Sequence, residues 1–381
     1  MKLKPCSNCT KRPEKSIGME WFEVKDIHKI DSPSLLVYPE RVRRNVESML
    51  KIAGGPERLY PHIKTHKTKE VIEICQDYGV ESFKCATLKE AELLGQCGVK
   101  EVVYSMPLQM QMLKRFNELT STYPSTTFSA LVDHEVVFGQ LSSEAARSNL
   151  KIPLWLDINT GMNRTGIEPN EAALELYIKM SKDPFIIAKG IHAYDGHIHQ
   201  ANYEERRDAC NIAFEPVSDL IESITSKGLK VPRVIAGGSP TFEIHADRKD
   251  VYLSPGTPVF WDAGYSQLFE EMPFDHAAVL ITRIISKPGE QLLCFDLGHK
   301  MLASEMSFPR IHFLQNNQFE QISQSEEHLV VRFTGPDIYE PGQVFYVVPK
   351  HICPTVSKYA KLISINDNEV TGEWIVRARD H

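Results

Sequence analysis

Residues 58–106 read RLYPHIKTHKTKEVIEICQDYGVESFKCATLKEAELLGQCGVKEVVYSM. Three short apolar runs, Arg58–Lys64, Ser82–Thr87 and Glu101–Met106, are separated by Thr68–Tyr78 and Leu88–Gln96. In both separating stretches the apolar residues recur at helical spacing. Strands alternating with helices are the signature of βα units and a parallel sheet. The pattern runs on in both directions. Upstream lies Ser34–Tyr38; downstream lie Thr127–Asp133, Ile152–Asn159, Ile186–Tyr194, Arg233–Gly237 and Val251–Val259. A long amphipathic stretch, Tyr203–Lys227, carries Ile212, Phe214, Val217, Leu220 and Ile221. Eight or nine such units over roughly 230 residues fit a TIM-like (β/α)8 barrel. A doubly wound sheet is the alternative. It would want a glycine-rich GxGxxG or GxxxxGK[ST] loop, and neither occurs.

Beyond Asp262 the helical periodicity fades. Ala277–Ile285, Gln291–Leu297, Leu329–Phe333, Val344–Val348, Lys361–Ile365 and Gly372–Ala378 read as strands divided by turn residues. The expected architecture is therefore α/β: a polar leader over 1–20, a barrel over 21–265 whose first residues can join the second domain, and an all-β domain over 266–381. The chain has 381 residues, with 42% hydrophobic and 24% charged residues. Those proportions are globular and exclude disorder, collagen and coiled coil. No apolar run reaches the ~18–20 residues of a membrane span. The net charge is -7 and no basic block occurs, so neither a nucleic acid nor a membrane is an expected partner. Eight cysteines are scattered, and no apolar stretch of a secretory signal follows Met1, which points to a reducing, cytoplasmic compartment. Cys6-x-x-Cys9 is a lone pair in the leader; a zinc knuckle needs a second pair, so it reads as a loose tail.

Five places carry more chemistry than packing requires. Lys64, in Tyr60-Pro61-His62-Ile63-Lys64-Thr65-His66-Lys67, stands at a strand end, where barrels place catalytic groups. A desolvated lysine there can condense with an aldehyde; the plain alternative is a solvated basic loop. In an extended strand Lys64 and Lys67 would face opposite sides. The strand Ile152–Asn159 runs into a glycine-bounded loop presenting Arg164, which can hold an anion or a phenolate. His192-Ala193-Tyr194-Asp195-Gly196-His197-Ile198-His199 gathers three histidines, a tyrosine and an aspartate around a turn. The loops Ala236–Thr241 and Ser254–Thr257 follow late strands, as the phosphate cups of barrels do. Finally, His351-Ile352-Cys353, read as extended, puts an imidazole and a thiol on one side, as a metal pair would need.

Taken together, PHIKTHK, AYDGHIH, GGSPT, SPGT, SEEH at Ser325–His328 and HICPT resemble the D-threonine aldolase / D-serine dehydratase family over about residues 30–380. These are pyridoxal-phosphate (PLP) enzymes with an alanine-racemase-like, fold type III barrel plus β-domain. The resemblance implies that Lys64 carries PLP and that Arg164 faces its phenolic oxygen. It implies that Tyr194 packs on the ring, that Gly238, Ser239, Gly256 and Thr257 hold the phosphate, that Thr241 belongs to the same cofactor site, and that Ser254 faces the ring nitrogen. It further implies a divalent metal on His351 and Cys353, with Zn2+ favoured by the thiolate and Mn2+ or Mg2+ as alternatives. A homodimer is implied too, the β-domain of one subunit closing the barrel mouth of the other. Two departures are Tyr60, where the family usually has Arg, and Lys350, where it usually has Asn; both bear on substrate detail.

The expected activity is a PLP- and metal-dependent lyase on small D-3-hydroxy-α-amino acids. Cleavage of D-threonine to glycine and acetaldehyde stands slightly ahead of D-serine dehydration to pyruvate and ammonia. The proton acceptor in the aldolase version would be His62, His197 or a water on the metal. A racemase needs no metal, which HICPT argues against, and a non-catalytic PLP carrier would lack the β-domain.

Overall fold

The computed structural model describes residues 19–315 and 319–380. The Cys6/Cys9 pair and nearly all of the leader lie outside the described residues. The first strand, β1 (Ser34–Val37), does not belong to the barrel. It pairs antiparallel with β9 (Ala278–Gly289) and parallel with β15 (Lys361–Asn366). An apolar run followed by the helix Pro39–Ala53 has the same periodicity in either sheet, so the pattern alone could not place it.

Seven parallel strands follow in chain order, each paired to the next: β2 (Ser82–Cys85), β3 (Glu101–Pro107), β4 (Thr127–Val132), β5 (Ile152–Asn159), β6 (Ile186–Tyr194), β7 (Val234–Ala236) and β8 (Val251–Leu253). The eighth position of the expected barrel is filled by Leu59–His62, which is no regular strand. Its backbone nonetheless bridges both sheet edges: Tyr60 N donates to Leu253 O at 2.7 Å, His62 N to Pro255 O at 2.8 Å, and Lys84 N to Pro61 O at 3.0 Å. Pro61 has no N–H to give, and that interrupts the ladder. Helices alternate with the strands, among them Leu88–Gln96, capped by Thr87 Oγ1 accepting from Glu90 N. In Tyr203–Ser226, Phe214, Val217 and Leu220 are buried whereas Ile212 is exposed. Two residues on a helix lie about 200° apart, so Ile212 and Phe214 cannot share the packed face.

Inside the barrel the period of two stacks side chains in layers. Tyr60, Val103, Leu131, Trp155 and Ile235 form a buried middle layer, with the half-buried Tyr252 packed against it. Two residues earlier on their strands come Glu101 and Arg233. Two residues later come His62, Ser105, Asp157 and Ser254, the polar layer at the strand C-termini. Tyr60 therefore belongs to the floor rather than to the substrate side. Its hydroxyl donates to Glu101 Oε2 at 2.9 Å, and Arg233 and Lys189 bring cations to that carboxylate.

The second sheet is mostly antiparallel, in the order β12 (Glu320–Gln324), β13 (Leu329–Arg332), β10 (Leu292–Phe295), β9, β1, β15 and β16 (Glu369–Ile375). β14 (Val344–Pro349) pairs with β9 and with β11 (Ile311–Phe313). The sequence reading of HICPT as extended does not hold. His351 caps the short helix Ile352–Val356, and Cys353 lies in its first turn. Among the described residues no helix is long and apolar enough to cross a membrane.

Candidate active site

A cavity of about 810 Å³ opens at the C-terminal ends of the barrel strands, a size typical of small-molecule sites (~300–1,000 Å³). Its wall includes His62, Lys64, Lys84, Tyr194, Gly238 and Ser239. Ser254, Gly256, Thr257, Glu305, His351 and Cys353 also line it.

The basic run 60–67 is not a solvated loop. Tyr60, His62, Thr65, His66 and Lys67 are buried, and Lys64 is half-buried. Ile63–Thr65 forms a 3-10 turn rather than strand, so alternation does not separate the two lysines, and both reach the cavity wall. Their partners separate them instead. Lys67 Nζ is paired with the fully buried Glu90 and donates to Ala378 O. No acceptor is within hydrogen-bond reach of Lys64 Nζ among the described residues, so it is the free amine of the pair.

His62 is fixed as a neutral ring. Ser105 Oγ donates to Cys85 O at 2.7 Å, so it accepts from His62 Nε2 at 3.2 Å, while His62 Nδ1 accepts from Lys64 N at 3.2 Å. Burial first, and then the charge of Lys64, hold its pKa well below the usual imidazole range. His197 stands off the cavity wall. Its Nε2 lies 3.3 Å from where a side chain at Gly161 would begin, and its buried Nδ1 has no partner. Arg164 is exposed, and its guanidinium packs 4.9 Å from the centre of the Tyr194 ring.

The two glycine loops converge. Ser239 Oγ accepts from Gly256 N at 3.3 Å and Thr257 N at 3.1 Å, which ties them together. A Cβ at Gly238 would stand 3.0 Å from Tyr194 Cε2, so only glycine lets the ring lie against the loop. The Gly238 N–H itself points to Asp195 Oδ1 and Thr241 Oγ1. Thr241 is buried and donates to Asp195 Oδ1 at 2.7 Å; it braces the loop from behind. His245 Nε2 lies 2.9 Å from the other oxygen of Asp195 and 3.3 Å from Cys210 Sγ.

The far wall comes from the other sheet. Cys353 Sγ lies 3.2 Å from Thr65 Oγ1 and 3.6 Å from Thr257 Oγ1, so the short helix Ile352–Val356 docks onto the barrel mouth. Burial opposes charge on both His351 and Cys353. Their mutual attraction overrides it, raising the imidazole to about 9 and lowering the thiol. The thiol is thereby disposed to the anionic form a soft metal takes. His351 Nδ1 lies 2.6 Å from Glu305 Oε1, an orientation that leaves Nε2 for a metal. Among the described residues no third imidazole, thiol or carboxylate is close to both; the one triplet that is close-set is Asp195, Cys210 and His245. A His/Cys pair with room beside it fits a catalytic rather than a closed structural metal site. A free half-buried lysine, an aromatic face and two glycine loops fit PLP.

Sequence reading did not single out Lys84, Tyr265, Glu305 or Arg379, all of which line the cavity. Lys84 had a readable signal, a lysine between Phe83 and Cys85 in a short apolar strand. The others are assembled only by the tertiary fold.

Barrel, cavity and second sheet define a cofactor-binding enzyme of the alanine-racemase architecture. Residues 37–262 match the family described as alanine racemase, N-terminal domain, more than half of the chain, and the protein belongs to that family. Residues 277–365 match the putative serine dehydratase domain. The chain is 24% identical to a 3-hydroxy-D-aspartate aldolase of Paracoccus denitrificans, over 93% of both chains. It is also 24% identical to a D-threonine aldolase of Arthrobacter sp, over 92% of this chain and 93% of that one. The crystal structure of D-threonine aldolase from Filomicrobium marinum shares the fold, with a TM-score of 0.83 at 23% identity, covering 92% of this chain and 96% of the other.

Proposed function

We propose that this PLP-dependent lyase acts on D-3-hydroxy-α-amino acids as an aldolase, cleaving D-threonine to glycine and acetaldehyde. The observation that carries the reading is a single cavity with Lys64 on the barrel side and His351 and Cys353 on the other. The names of the two aldolase relatives support it. Bound PLP would draw electrons from the α-carbon, and a divalent ion, Zn2+ first, would act as a Lewis acid at the β-hydroxyl.

The chain's own residues do the rest. Lys64 is the attachment point, and Tyr194 and Arg164 bound one face of the site. Ser239 and Thr257 present small hydroxyl side chains to a phosphate, beside the Gly256 and Thr257 N–H groups that donate to Ser239 Oγ. His62 is neutral, the state a general base needs, but burial holds its pKa well below the imidazole range and its Nδ1 accepts from Lys64 N, so it would take a proton only by giving up that hydrogen bond. The bond between Cα and Cβ breaks as the hydroxyl proton departs, and the α-carbon is then protonated to give glycine. D-serine dehydration is the second reading, favoured by the serine dehydratase match over the segment that carries HICPT. The working unit is proposed to be a homodimer in a reducing cytoplasm. Exposed Met306 and Phe308 beside the cavity residue Glu305, and six free thiols among the described cysteines, support this.

The test is to incubate PLP-loaded protein with D-threonine and with D-serine and identify the products. Glycine with acetaldehyde is expected. Pyruvate or 2-oxobutyrate with ammonia would replace the aldolase reading by the dehydratase one, and L-isomers alone would refute both.

A further inference from the structure

Two buried lysines of the cavity are unused by the reaction above, and of these Lys67 is paired with Glu90 whereas Lys84 has no carboxylate partner among the described residues. It projects from β2 into the polar layer and is 2% exposed. Its Nζ lies 2.8 Å from His192 Nε2 and 3.1 Å from Ser254 Oγ. Both partners have fixed roles. His192 Nδ1 lies 2.6 Å from Asp157 Oδ1, so its proton sits on Nδ1 and Nε2 accepts. Ser254 Oγ donates to Gly237 O at 2.7 Å, so it too accepts from Lys84. Two N–H groups are thus committed, and the third corner of the amine faces the cavity it lines.

We propose that Lys84 is the hydrogen-bond partner of the PLP ring nitrogen, donating to it as an ammonium while the nitrogen itself stays unprotonated. The inference rests on the PLP reading given above. In PLP the nitrogen is para to the carbon that joins Lys64, and the phosphate arm is next to that carbon. A ring held at Lys64 and at the Gly256–Thr257 loop would turn its nitrogen edge away from Lys64, and Ser254 with the Lys84 amine beside it lines the cavity to receive that edge. From the sequence, Ser254 alone would be a neutral partner and PLP a weak electron sink. Lys84 changes that: a charge-assisted hydrogen bond draws more density from the ring than a hydroxyl does.

The charged groups around Lys84 are Lys64, Arg164, Asp157 and Asp195, with His62 and His192 neutral. Burial and then Lys64 lower the Lys84 pKa to about 7, against Asp157. With the Lys64 charge beside it, the amine is poised to give up its proton near neutrality. A lysine with both other contacts satisfied is thus a titratable switch on the cofactor's electronics.

The experiment loads the full chain and its Lys84→Met and Lys84→Arg variants with PLP labelled with 15N in the ring. Borohydride then fixes the label on the protein, and the ring-nitrogen NMR shift is followed against pH. In the unsubstituted protein the shift should show an inflection near neutrality. Lys84→Met should abolish that inflection and raise the proton affinity of the nitrogen about tenfold, one pH unit. Lys84→Arg stays charged and should keep the hydrogen-bonded shift with no inflection near neutrality. Label fixed on Lys64 with all three curves superimposed would overturn the role of Lys84 and leave the PLP site standing. Failure to fix label on Lys64 would overturn the PLP reading and this inference with it.

Discussion

The difference between Lys64 and Lys67 lies in their partners, not in their spacing. Breaking a buried ion pair by removing one member is costly, ~3–5 kcal/mol, so the Lys67–Glu90 pair is structural. Lys64→Ala should abolish both the visible absorbance of bound PLP and turnover. The double change Lys67→Met with Glu90→Gln, which removes both charges together, should keep the absorbance. Absorption spectra before and after borohydride decide; a band that survives Lys64→Ala would put the cofactor elsewhere. Lys64, Tyr194, Gly238, Ser239, Ser254, Gly256, Thr257, His351 and Cys353 were legible because polar residues crowd at strand ends and loops. Glu305, Tyr265 and Arg379 were not legible, since nothing near each in sequence marks it and only folding gathers them.

At the scale of elements, the segment that closes the barrel also carries an acid-sensitive group. The His66 ring is buried against Phe260, and its Nδ1 accepts from Thr68 N at 3.2 Å. Burial pushes its pKa down to about 3 from the ordinary 6.5. Between those values the unfolded chain binds a proton that the folded chain refuses, so stability is lost as pH falls from 6.5 toward 3. His66→Asn keeps an acceptor and removes the titration. Urea unfolding should show the unsubstituted protein losing about 1 kcal/mol more than the variant for each pH unit in that window. Equal pH slopes would mean that His66 is protonated in the fold.

Which apolar runs were strands could be read from periodicity. Which sheet β1 joins could not, because pairing is a long-range choice. The helical turn at Ile352–Val356 escaped because Pro354 at its third position suits a first turn as well as an extended loop. Arg58–Lys64 reads as a strand because it is a short apolar run, but Pro61 and the turn at Ile63 leave only Leu59–His62 bridging the sheet edges.

For the molecule as a whole, the decisive feature is that two sheets complete one cavity. The barrel supplies the lysine and the glycine loops, and the helix Ile352–Val356 brings the thiol against Thr65 and Thr257. PLP attachment and metal binding therefore rest on different parts of the chain and should be separable. The most direct test is to treat PLP-loaded protein with EDTA and read visible absorbance and D-threonine cleavage in the same sample. Turnover should fall by about a hundredfold, while the absorbance band persists, and both readings should return to their starting values when Zn2+ is added back. Full cleavage in EDTA, with no metal found by elemental analysis, would contradict the two-part site.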